Sequence, residues 1–152
     1  HFTMTEPDIT AHLEQNDIKP TANRILVTRE LMTASTALSL GDLEARLGTV
    51  DKSSIFRVLS LLSEHHLIHQ INDSTGQTKY ALCEDGSHTN DPHHNISDEH
   101  IHFHCERCKR TFCLPSEHIP DIKLPEGFHI HNAEMVVTGL CPECIKKYGC
   151  KL

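Results

Sequence analysis

Apolar residues recur at helical spacing through the first 66 positions, then give way to alternation. Ile9 and Leu13 share one face of a first helix, in which Pro7 takes an early position where its missing N–H is not needed. Asp17-Ile18-Lys19-Pro20 ends it. Thr21 can cap a second helix, with Ile25, Leu26, Leu31 and Met32 as its buried stripe. Ala34 to Thr36 is a loop. Ser39 with Asp42 three residues on has the form of a capping box, Leu40, Leu43 and Leu47 make a short face, and Gly48 stops that helix. Asp51 or Ser53 starts a fourth helix that runs to about His66. Its residues Ile55, Val58, Leu59 and Leu62 fall at i, i+3, i+4 and i+7, so that face is core.

The period then changes. Leu67 to Ile71 and Gln77 to Leu82 read as two strands around Asn72-Asp73-Ser74-Thr75-Gly76, a hairpin. Helices feeding a longer helix and then a hairpin match a winged helix-turn-helix. Glu84 to Asp98 is polar, with Gly86, Pro92 and several histidines, and reads as a linker or loop. Beyond it, residues 100–114 give two short strands. Pro115, Pro120 and Pro125 keep any helix between Leu114 and Pro125 short, and Phe128 to Thr138 suggests a further strand or two. The fold class is therefore α+β, with a winged-helix domain over 4–83, a linker over 84–98 and a second small domain over 99–152.

The second half carries the chemistry. Cys105-Glu106-Arg107-Cys108 is followed, after 32 residues, by Cys141-Pro142-Glu143-Cys144. Two intervening residues let both sulfurs of each pair converge on one ion, and two such pairs make the four-thiolate cage of a structural zinc site. Redox dithiols are the competing reading of the same spacing. The run His100-Ile101-His102-Phe103-His104 leads into the first pair, and on a strand its alternate imidazoles share a face.

Composition changes the picture in three ways. Fourteen histidines, nine of them between His88 and His131, single out the second half as metal-rich. A chain with no Trp, five Phe and two Tyr has a thin core that a metal staple would reinforce. Seven cysteines without a secretory leader or a long apolar run point to a reducing, cytoplasmic setting and no membrane span. The net charge of −7 with His neutral argues against general nucleic-acid affinity but leaves room for a local basic face. His1 to Thr3, ahead of Met4, are set aside.

Ser54-Ile55-Phe56-Arg57-Val58-Leu59, together with the His-x-His-x-x-Cys-x-x-Cys run and the closing Cys-Pro-x-Cys, resembles the ferric uptake regulator (Fur) family of metal-sensing repressors, from about Pro7 to Cys144. The resemblance implies a winged-helix DNA-binding domain, a C-terminal α/β dimerisation domain and a homodimer on a palindromic operator. It puts Cys105, Cys108, Cys141 and Cys144 on the structural zinc ligands. It puts Lys19 on a minor-groove contact, Phe56 where relatives have a thymine-touching Tyr, and Arg57 on a base or phosphate contact. Ser54 stands beside them on the DNA-facing end of the helix. Arg can bridge guanine acceptors and an aromatic edge can pack on a thymine methyl. Phe lacks the Tyr hydroxyl, and plain core is the other reading of Phe56.

The regulatory site separates the branches of the family. Ala81 stands where iron and peroxide sensors have a carboxylate, and His69, Cys83, His100 and His102 resemble the set of the zinc-uptake regulator (Zur) branch. One thiolate with three imidazoles suits tetrahedral zinc, whereas iron and manganese favour more oxygen. These donors come from both sides of residues 84–98, so a bound ion would act as a hinge lock between the halves of the chain. Cys113 stands where relatives often have an acidic ligand, and could join or replace a member of the set. His69 as a surface residue, Cys83 as a small buried hydrophobe and His104 as a packing residue are the bland alternatives. Cys150 reads as a free thiol, and His88, His93, His94, His118 and His131 as surface.

The function expected is a zinc-responsive repressor and not an enzyme. An iron, manganese or peroxide sensor of the same family is the first alternative. A zinc enzyme would need an open coordination position and an acid such as Glu99, with no motif around it. A metal buffer would leave the winged helix and Arg57 unexplained.

Overall fold

The computed structural model describes residues 6–73, 75–82, 100–131 and 133–150. The chain divides into two compact units, one through residue 82 and one from residue 83.

In the first unit α1 (Glu6–Gln15) is followed by α2 (Ala22–Thr33), β1 (Leu38–Ser39), α3 (Leu40–Leu47), α4 (Lys52–Glu64), β2 (Ile68–Asn72) and β3 (Thr78–Leu82). The caps explain where the helices begin. Thr21 accepts from the Arg24 N–H at α2. At α3 the capping box is complete: Ser39 Oγ accepts from the Asp42 N–H at 3.1 Å, and Asp42 Oδ2 accepts from the Ser39 N–H at 2.9 Å. Asp51 caps α4. Gly48 closes α3 at φ 46°, left-handed backbone that a side chain resists.

Ile55, Val58, Leu59 and Leu62 are all buried on α4, packed with Ile9, Leu13, Val27, Leu31 and Leu43. The stripe of α2 is turned from the one expected. Val27, Thr28 and Leu31 are its buried residues, while Ile25, Leu26 and Met32 are only partly covered. The sheet order is β1-β3-β2, all antiparallel, and β1 is too short to have been visible as alternation. At the hairpin the Lys79 Nζ lies 2.9 Å from Asp73 Oδ2 with both side chains buried, and Asp73 Oδ1 accepts from the Thr75 N–H. The helices and the β2–β3 hairpin together make the winged-helix arrangement, so the chain is α+β as expected.

The second unit has β4 (His100–Cys105), β5 (Thr111–His118), β6 (Val136–Gly139) and a last helix, α5 (Pro142–Tyr148). Its sheet runs β5-β4-β6, with β4 antiparallel to β5 and parallel to β6. No helix forms between residues 114 and 125, where β5 continues through Pro115 to His118. The later strand is confined to four residues, 136–139. Gly139 allows a close approach there: a Cβ would come within 3.2 Å of the Phe103 ring. Among the described residues no helix is long and apolar enough to cross a membrane.

Candidate metal centre and nucleic-acid interface

The first knuckle grows out of the end of β4. The Cys105 N–H donates to the Arg110 carbonyl and the Lys109 N–H returns to the Cys105 carbonyl, both at 2.9 Å. Lys109 sits at φ 64°, the reversal that returns the chain so that the Arg110 carbonyl meets the Cys105 N–H. The second knuckle is the start of α5. Cys141 is the N-cap residue, and Pro142 takes the first turn, where no N–H is needed. The strand and the helix meet through the Glu106 N–H donating to the Gly139 carbonyl at 2.8 Å and the Cys141 N–H donating to Cys105 Sγ at 3.4 Å.

The four sulfurs of Cys105, Cys108, Cys141 and Cys144 consequently lie within 4.8 Å of one another. Tetrahedral zinc with Zn–S bonds of about 2.3 Å needs sulfurs about 3.8 Å apart, and Cys108 Sγ to Cys141 Sγ is 3.9 Å. All four cysteines are unbridged, Cys105, Cys141 and Cys144 are buried, and both pairs converge on one point, as a metal cage requires. The cluster fits a structural zinc site.

The thiols are unequal. Burial alone would raise Cys105, but the backbone N–H groups of Cys108, Cys141 and Arg107 outweigh it and bring the thiol down to about 6. Burial also opposes ionisation of Cys108, where the Arg110 guanidinium overcomes it and the net direction is down. Cys144 is pushed up to about 12 by burial and by the neighbouring sulfurs. A dication among them holds all four as thiolates. Sequence reasoning missed the Arg110 and Glu143 pair beside the cage, with nitrogen and oxygen 2.5 Å apart. The only signal was a basic residue two positions past the first knuckle and an acid inside the second.

A register irregularity falls between His100 and Ile101, where the facing partner moves from His118 to Leu114, so the extra residues lie on β5. His102 and His104 are both buried. His104 Nδ1 lies 3.0 Å from Thr111 Oγ1 on the facing strand. His102 faces Cys113 across the β4–β5 ladder, and their ligand atoms lie within 4.8 Å of each other. His69 is half-buried on β2. Cys83, residues 84–98 with His88, His93 and His94, Glu99 and the His100 side chain lie outside the described residues. His118, His131 and Cys150 are exposed.

On α4 the core stripe leaves the other face in solvent. Phe56 is 52 % exposed, which removes the plain-core reading, and Arg57, Lys52 and Ser53 are exposed beside it. Arg57 Nε donates to the Ser53 carbonyl at 3.3 Å, laying the guanidinium along the N-terminal half of the helix. The Ser54 hydroxyl is already committed to Asp51 Oδ1 at 2.5 Å, a capping role beside any contact with a ligand. Lys19 is exposed, and its carbonyl accepts from Arg24 at 2.9 Å, which fixes the backbone just before α2.

No family model matches the chain. It is similar to the curated protein "Transcriptional regulator FurA" of Mycobacterium tuberculosis, 25% identical over 146 residues, covering 91% of this chain and 90% of FurA. Among solved structures it resembles a zinc uptake regulator complexed with zinc and DNA, at a TM-score of 0.64 and 21% identity, covering 97% of this chain and 100% of that one. It also resembles the ferric uptake regulator of Pseudomonas aeruginosa with manganese, at a TM-score of 0.57 and 16% identity, covering 88% and 98%.

Proposed function

We propose that this chain, which is similar to the regulator FurA and to a solved zinc uptake regulator, is a zinc-responsive transcriptional repressor of the ferric uptake regulator family that binds a palindromic DNA operator as a homodimer. The observation that carries the reading is the solvent face of α4. A large aromatic and a guanidinium stand exposed on the longer helix of a winged-helix unit, a place where burial offers no reason for Phe56. Such a helix enters a major groove, where Arg57 reaches guanine or phosphate and Phe56 packs on a thymine methyl. Lys19 assists from the chain ahead of α2. The zinc uptake regulator it resembles was solved with zinc and DNA.

The regulatory site is proposed on His69, Cys83, His100 and His102, with Cys113 as a fifth candidate. What supports it within the second unit is the His102–Cys113 pair, an imidazole and a thiol held within 4.8 Å on neighbouring strands. Sulfur and imidazole donors favour zinc over iron or manganese. FurA and the manganese-bearing P. aeruginosa regulator support the alternative of an iron or manganese sensor.

Operator binding titrated against buffered metals decides between them. Zinc should activate at free concentrations where Fe²⁺ and Mn²⁺ do not, and the opposite order would overturn the zinc reading. His102→Ala and Cys113→Ala should abolish metal-dependent binding and leave one zinc per chain in the four-cysteine cage. Full zinc response in both variants would remove the site.

A further inference from the structure

We propose that Arg110 is a positioning residue for the four-cysteine cage, a cation that holds the two knuckles together and sets how fast zinc leaves. The inference rests on the cage holding zinc and adds to it a residue that is not a ligand. Arg110 Nε donates to Cys108 Sγ at 3.2 Å, in the first knuckle. Its Nη2 lies 3.8 Å from Cys141 Sγ and donates to Glu143 Oε2 at 2.5 Å, both in the second. The guanidinium therefore spans both halves of the cage, and its rigid fork is what allows one side chain to serve two directions. It also lies 5.3 Å from the Phe112 ring, within the small apolar cluster around the cysteines.

Charge gives the contact its consequence. Four thiolates around one Zn²⁺ leave two uncompensated negative charges in a buried place. A fixed cation beside two of the sulfurs favours that loaded cage over the emptied, less negative one. Hydrogen bonds to the ligand atoms of a metal typically matter by about 10–100-fold in affinity. Arg110 and Glu143 are 37% and 73% exposed, so the ion pair alone adds little in water. Its use is to orient Nε on Cys108. An open pocket of about 490 Å³ lined by Glu106, Arg107, Cys108, Cys144 and Tyr148 gives a chelator a way in.

The test is zinc release from the full chain to an excess of a chromogenic chelator at fixed pH, with Co²⁺-loaded protein examined by absorption. Wild type should hold one zinc per chain in the cage; a cage without zinc fails the premise and leaves Arg110 with no metal to hold. Arg110→Met should speed release by about tenfold or more and shift the sulfur-to-cobalt charge-transfer band to longer wavelength, because sulfurs that lose a hydrogen bond are better donors. The tetrahedral cobalt bands should persist. Arg110→Lys, which keeps the charge and loses the fork, should fall between, and Glu143→Gln should give a smaller acceleration. Release within twofold of wild type in Arg110→Met overturns the proposal, as does faster release with an unmoved charge-transfer band. If Arg110→Met does not fold, the same two readings on Arg110→Lys and Glu143→Gln decide.

Discussion

At the scale of single residues, exposure separates the jobs on α4. Leu59 is fully buried and Phe56 is not, although both are large and apolar. Phe56→Ala should change stability by no more than about 0.5 kcal/mol, as surface substitutions do, while weakening operator binding; equilibrium unfolding and gel-shift titration check the two halves. Arg57→Ala should cost about 1–3 kcal/mol of operator binding and relax sequence preference if the contact is to a base. A phosphate contact would weaken all sequences alike and make the salt dependence shallower. Unchanged affinity at moderate salt would mean that α4 is not the reading helix. Asp51 supplies a pH signature. The Ser54 hydroxyl, and then its backbone N–H, hold the Asp51 carboxyl below its ordinary value of 3.8. A lowered folded value means the contribution is fully present above 3.8 and is lost as pH falls through the folded value. Asp51→Asn keeps an oxygen for the cap but no charge. Its stability deficit should be constant near neutral pH and shrink below 3.8, which parallel unfolding curves would show.

At the scale of elements, the helices start where their caps say and pack where α4 allows. The capping box of Ser39 and Asp42 satisfies two N–H groups at the start of an eight-residue helix too short to stand alone. Ser39→Ala should destabilise the first unit by about 0.5–2 kcal/mol, read from the denaturant midpoint. A midpoint unchanged from wild type would show that packing of Leu43 alone holds α3. Leu59→Ala, in the middle of the same core, should cost more, about 2–5 kcal/mol. The strands of the second unit obey a different rule. β4 is central, so its residues answer to β5 on one side and β6 on the other. That is why Gly139 stands against Phe103 and why His102 meets Cys113 rather than water.

At the scale of the whole molecule, the two units hold themselves together by different means. The first has an apolar core drawn from all four helices and the hairpin. Among the described residues of the second, a buried cluster is formed by Cys105, Cys141 and Cys144, with Phe103, Cys108, Phe112 and Leu140 packed on them. A metal there is folding energy. Cys105→Ser, or a chelator strong enough to strip the cage, should therefore unfold the second unit and leave the helical signal of the first. Circular dichroism with zinc analysis checks it, and a metal-free chain with both units still folded would show that the apolar contacts suffice.

Much of this was legible in the residues. The core stripe of α4, the capping box at Ser39, the hairpin and the four-cysteine cage each follow from local spacing, because a cap, a turn and a Cys-x-x-Cys knuckle are complete within a few residues. The rest depended on partners far along the chain. Which residues of α2 are buried was decided by α4, β3 and the other elements packed on it, so the stripe turned to Val27 and Thr28. Pro115 sits within β5 rather than ending it, since only the ladder to β4 decides which N–H groups are needed. The irregularity opposite His100, where the β5 partner jumps from His118 to Leu114, was likewise invisible in the residues. The reach of Arg110 to Glu143, 33 residues apart, exists only because the Glu106 N–H on the Gly139 carbonyl and the Cys141 N–H on Cys105 join the two knuckles. Local chemistry determines what each segment can do; the tertiary structure decides which segments meet.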